Sequence, residues 1–88
     1  MPILSVFFGI VVRIWHDDRP PPHIHVEYQG FEALVEIRSG EVKVGKLPRK
    51  AANIVREWCL EHRHELLENW ERAQHFEPLE RIRGADYD

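Results

Sequence analysis

Cysteine, methionine and a surplus of either charge are what this chain of 88 residues has least of. A lone Cys59 cannot close an internal disulfide, and no second cysteine stands at zinc-pair spacing. A disulfide scaffold and a cysteine zinc knuckle are therefore excluded, and a reducing compartment, the cytoplasm by default, is the expectation. Lys and Arg number 12 against 15 Asp and Glu, a formal net charge of -3. That balance argues against a broadly nucleic-acid-binding surface and leaves room for a local basic patch. Long hydrophobic runs are missing too. The stretch Ile3 to Trp15 falls well short of the ~20 residues that cross a bilayer, is interrupted by Gly9 and Arg13, and has neither a basic leader nor a small-residue cleavage site. No membrane association is expected. A domain this short, with no disulfide, has a thin core, which favours a face that pairs with itself or with a partner.

What is present reads as one α+β domain over residues 1–76, followed by a polar tail at 77–88 in which Leu79 and Ile82 are the candidate anchors. Ser5 to His16 is rich in Val, Ile, Phe and Trp on both alternating faces, the pattern of a long buried strand that Gly9 can bend or divide. Asp17-Asp18-Arg19-Pro20-Pro21-Pro22 is a rigid connector, because three prolines fix φ and remove three donors. His23 to Tyr28 then alternates, with Ile24, Val26 and Tyr28 on one face and His23, His25 and Glu27 on the other.

Gln29-Gly30 reads as a two-residue hairpin turn that pairs Tyr28 with Phe31, Val26 with Ala33 and Ile24 with Val35. The same register sets Glu27 against Glu32, a like-charge pair that either splays apart into solvent or is relieved by a cation, protonation or a basic partner, and sets His23 against Glu36 as a favourable pair. Ser39-Gly40 reads as a second two-residue turn, pairing Arg38 with Glu41, Ile37 with Val42 and Glu36 with Lys43. The sum is an antiparallel β-meander of four strands, or five if Gly9 divides the first.

Pro48 suits the start of a helix. From there to about Gln74, Ala51, Ile54, Val55, Trp58, Cys59, Leu66, Trp70 and Ala73 share a broad apolar face, with Leu60 and Leu67 outside it. The stripe drifts near Glu61-His62-Arg63-His64, so the sheet packs against either one C-terminal helix or a kinked helix pair.

Four groups of residues are candidates for function. His23 and His25, two apart in a strand, project from the same face roughly 7 Å apart along the backbone. With His16, Asp17 and Asp18 across the proline connector they form a candidate N and O ligand set for a divalent transition metal such as zinc, iron or manganese. Used without metal, His23 and His25 could act as general base and acid in RNA cleavage, with a nearby cation stabilising the phosphorane. Lys46, Arg49 and Lys50 cluster about the helix start, where an anion would offset their unfavourable placement in the helix dipole. Trp58 and Trp70 are candidate partner anchors beside a helix rim rich in Glu.

Three runs, FFGIVVRIWHDDRPPPHIHVEY, FEALVEIRSGEVKVGKLPRKA and VREWCLEHRHELLENWERA, resemble the small bacterial family known as domain of unknown function 4160. The most specific element is Pro20-Pro21-Pro22-His23-x-His25, followed by Gly45 to Arg49. The resemblance implies a small protein encoded beside another small domain, in an arrangement that looks like a toxin-antitoxin module. Its implied partner is that co-encoded protein, with a homo-oligomer or a nucleic acid as alternatives.

Overall fold

The computed structural model describes residues 3–16 and 18–86. Five strands, β1 (Ile3–Phe7), β2 (Ile10–Arg13), β3 (His23–Tyr28), β4 (Phe31–Glu36) and β5 (Val42–Gly45), form one antiparallel sheet in sequential order. Two helices follow, α1 (Arg49–Glu61) and α2 (Arg63–Gln74). Gly9 divides the first apolar segment. Phe8 and Gly9 both take positive φ, 53° and 77°, as do Gln29 and Gly30 at 47° and 86°. Positive φ at both central residues is the turn geometry that matches the twist of paired strands, so each two-residue loop closes a tight hairpin.

The β3–β4 register is the one read from the sequence: Tyr28 faces Phe31, Val26 faces Ala33, Ile24 faces Val35 and Glu27 faces Glu32. Arg13 relieves the like-charge pair, its Nε lying 3.6 Å from a Glu27 carboxylate oxygen.

The β4–β5 register differs from the sequence expectation. Val42 pairs with Val35 rather than Ile37, Val44 pairs with Leu34, and Lys43 falls in a bulge, so the expected Arg38–Glu41 and Glu36–Lys43 pairs do not form. Two contacts account for the longer loop. Ile37 turns into the core and its N–H donates to the Pro22 carbonyl at 3.0 Å. Gly40, at φ 72°, backs onto α1 so closely that a Cβ there would sit 2.9 Å from the Arg56 carbonyl oxygen. Gly40→Ala, which combines this clash with a left-handed φ, is expected to cost roughly 2 kcal/mol and lower Tm by about 10 °C in a thermal melt.

The core lies between one sheet face and the helices. Leu4, Phe7, Ile10, Val12, Ile24, Val26 and Val35 meet Ala51, Val55, Trp58, Cys59, Leu66, Trp70 and Ala73. The helical face is the one read from the sequence, and the helix is interrupted at His62, whose φ and ψ are −109° and 23°. Burial pushes the Cys59 thiol up to about 12, so the thiolate is disfavoured. In the native protein it should resist alkylation at neutral pH and react only after unfolding, which mass spectrometry of iodoacetamide-treated samples would check.

Residues 79–83, part of the 77–88 segment read as a polar tail with Leu79 and Ile82 as anchors, are strapped to the body, with Ile82 buried and Leu79 packed against the core. Asn69, 1% exposed, donates to the Glu80 carbonyl at 3.0 Å and accepts the Glu80 N–H at 2.8 Å. The Trp58 indole N–H donates to the Arg83 carbonyl at 2.7 Å, and the Ile82 N–H donates to the Leu4 carbonyl at 2.8 Å. At Leu4 the strap therefore pairs a β1 backbone carbonyl that lies at the end of the sheet order.

Candidate metal centre at the proline corner

Alternation along β3 sends Ile24 and Val26 into the core and turns His23 and His25 to the opposite side of the strand, where His23, at the strand's start, still reaches Trp70 of α2. Their rings lie 5.4 Å apart, centroid to centroid. The proline connector then folds back so that Asp18 meets both. One carboxylate oxygen, Oδ2, lies 2.9 Å from His23 Nε2 and 3.0 Å from His25 Nε2. The other, Oδ1, accepts the Arg19 backbone N–H at 2.9 Å. From α2, the Gln74 side-chain amide donates to the Asp18 carbonyl at 3.0 Å, so the corner is fixed from the helical side as well. Trp70 packs against His23 and Trp15 against His25, at 5.3 and 5.2 Å between ring centroids. The three side chains remain partly open to solvent, at 15% for His23, 26% for His25 and 25% for Asp18.

Proton positions make this cluster more than a set of neighbours. His23 Nδ1 lies 2.9 Å from the Pro21 carbonyl oxygen, which can only accept, so Nδ1 carries the proton. In a neutral imidazole Nε2 then holds a lone pair, and here it faces a carboxylate oxygen that also has only lone pairs. Two acceptors at 2.9 Å need a positive charge between or upon them: either a second proton on the ring or a cation. A backbone carbonyl fixing one ring nitrogen while the other faces the ion is the usual outer support of a metal-ligating histidine.

The spacing is suitable as well. Metal–ligand bonds of ~2.0–2.1 Å set adjacent donors about 3.0 Å apart at right angles and about 3.3 Å apart in a tetrahedron. The two Asp18–His separations already lie near those values, and all three donor atoms fall within 4.8 Å of one another.

Burial alone would raise the Asp18 carboxyl. The hydrogen bond with His25, the Arg19 N–H, and the charge and hydrogen bond of His23 outweigh that effect and hold it below its ordinary value of 3.8. Because the folded-state pKa is the depressed one, the resulting stabilisation is complete above the unfolded-state value near pH 4. It is lost as pH falls through the folded-state value. In metal-free protein, Asp18→Asn should flatten the stability–pH curve below pH 4 when unfolding is followed by circular dichroism.

Among the described residues, no other sequence-predicted residue joins this centre. His16 is exposed and stacks on Phe76, with ring centroids 5.9 Å apart and planes 13° apart, because the chain leaves the sheet once Ile14 has entered the core. Asp17 lies outside the described residues. Lys46, Arg49 and Lys50 are exposed about the start of α1, which has no acidic residue in its first turn and no side-chain cap. Trp58 and Trp70, 1% and 5% exposed, lie in the core between sheet and helices. Gln74 and the Pro21 carbonyl were not anticipated. Neither has a local signature, since one acts from 56 positions away and the other through its backbone.

No curated protein and no solved structure matches the chain. The family described as Domain of unknown function (DUF4160) matches residues 9–71, a stretch that contains Asp18, His23 and His25 together with β2 to β5, α1 and most of α2. The chain belongs to that family.

Proposed function

We propose that this domain binds a divalent transition metal through Asp18 Oδ2, His23 Nε2 and His25 Nε2, leaving coordination positions open to a small ligand on the uncovered face of the sheet. The observation that carries the reading is the convergence of His23 Nε2 and His25 Nε2 on one Asp18 carboxylate oxygen, with the Pro21 carbonyl holding His23 by its other ring nitrogen. Two imidazoles and one carboxylate suit zinc, iron(II) or manganese better than magnesium or calcium, which prefer all-oxygen sites. Three protein ligands leave one position free in a tetrahedral ion and three in an octahedral one. The same geometry is less apt for metal-free acid–base cleavage of RNA. Both Nε2 atoms converge on one oxygen, whereas a general acid and base must stand on either side of a scissile bond.

Untagged protein titrated with cobalt(II) should bind one equivalent, with visible d–d bands of an N/O site. Protons compete for the imidazoles, so the bands should fade as pH falls. A chain that takes up no stoichiometric metal at neutral pH would overturn the reading.

A second reading, binding of a co-encoded small protein in a toxin-antitoxin-like pair within the cytoplasm, is favoured by exposed apolar side chains on the same sheet face. Val6, Trp15 and Val44 are 46%, 44% and 60% exposed. Co-expression with the neighbouring gene product should yield a complex of fixed ratio, and Val44→Asp should weaken it. Separate elution of the two chains at micromolar concentration would reject this reading.

A further inference from the structure

The metal reading leaves open what occupies the free coordination positions, and the surface beside the centre answers in chemical terms. A groove of about 320 Å³ runs from Asp18 and His23 across the uncovered face of the sheet to β5. Pro20, Pro21, Leu34 and Val44 form its apolar walls, with Arg19, Lys43 and Glu36 at its rim. The bulge at Lys43 creates this surface. It turns Val44 outward beside Leu34, where regular alternation from the inward-facing Val42 would have placed it inward again. Lys43 is exposed and makes no ion pair among the described residues.

Charge and shape then point the same way. Arg19 and Lys43 are balanced by Asp18 and Glu36, so the two charges of a bound divalent ion are left over and call for an anion. The walls are predominantly apolar and the volume is at the low end for a ligand pocket, so the anion should carry a small apolar group and is not a nucleic-acid strand.

We propose that the groove binds a small organic oxyanion, a carboxylate, phosphonate or phosphate ester bearing one short aliphatic or aromatic group. Its oxyanion takes the open metal positions near Lys43, and its apolar group lies against Leu34 and Val44. This proposal rests on the metal reading, and the two can be tested apart.

The full chain is loaded with cobalt(II) and titrated with phenylphosphonate, inorganic phosphate and benzyl alcohol, following the visible spectrum and the heat of binding. Phenylphosphonate should bind about tenfold tighter than phosphate, the return on burying part of a phenyl ring, and benzyl alcohol should leave the spectrum unchanged. Val44→Asp, at a solvent-exposed position on an edge strand, should abolish that tenfold preference. Lys43→Ala should weaken both anions several-fold, and both variants should keep cobalt affinity within twofold of the parent. Equal affinity for the two anions, or a preference that survives Val44→Asp, would overturn the proposal while leaving the metal site standing. Failure to bind cobalt at all would overturn both.

Discussion

Replacing His25 by alanine is expected to lower the affinity for zinc or cobalt by at least about 100-fold and to leave the fold intact. Loss of a supporting group around a metal typically costs 10- to 100-fold, and loss of one of only three protein ligands should cost no less. The fold should tolerate the change because His25 stands on the uncovered face of β3, flanked by Arg13 and Leu34, while its neighbours Ile24 and Val26 hold the strand to the core. His23→Ala should lose metal affinity to a similar degree and also surrender the ring that packs on Trp70. His64→Ala is the control. That ring is 89% exposed on α2, pairs with Glu68 at 3.4 Å, and should not affect metal binding. Calorimetric titration of the parent and the three variants checks the set. Equal affinities for the parent and His25→Ala would show that any bound metal resides elsewhere.

The largest loss of stability is expected at Trp58→Ala. The indole is 1% exposed, lies 4.9 Å from Phe7 between ring centroids, and donates from its N–H to the Arg83 carbonyl. One truncation therefore opens a cavity between sheet and helices and releases the C-terminal strap. Large-to-small changes of a buried aromatic cost about 3–5 kcal/mol, a large share of the stability of a domain this size. Tm should fall by roughly 15 °C or more, and the variant should be largely unfolded at modest denaturant concentration. Trp58→Phe, which keeps most of the volume and loses the hydrogen bond, should recover the greater part. A Trp58→Ala protein that melts within a few degrees of the parent would show that the sheet–helix interface is not packed as described.

The sequence is legible where a feature depends on near neighbours and opaque where it depends on distant ones. Alternation from His23 to Tyr28, with Gln29-Gly30 beyond it, fixes the β3–β4 hairpin, and the same alternation places both imidazoles on one face. The β4–β5 register was misread because it is decided by Ile37 entering the core and Gly40 backing onto Arg56, contacts made across the fold. Trp58 and Trp70 look the same in sequence whether they anchor a partner or fill a core, and only packing separates the two. At the site, Asp18 and His16 were equal candidates by proximity to the prolines. The corner directs Asp18 back to the histidines, while His16 is carried off to stack on Phe76. Gln74, which holds the Asp18 carbonyl from the end of α2, has no local signal at all.

The most direct test is a crystal structure of untagged protein grown with zinc, with anomalous data collected on both sides of the zinc absorption edge. One strong anomalous peak should lie ~2.0–2.2 Å from His23 Nε2, His25 Nε2 and an Asp18 carboxylate oxygen, with His23 Nδ1 still donating to the Pro21 carbonyl. A map with no peak at the proline corner, and His23 and His25 still in direct contact with Asp18, would contradict the account.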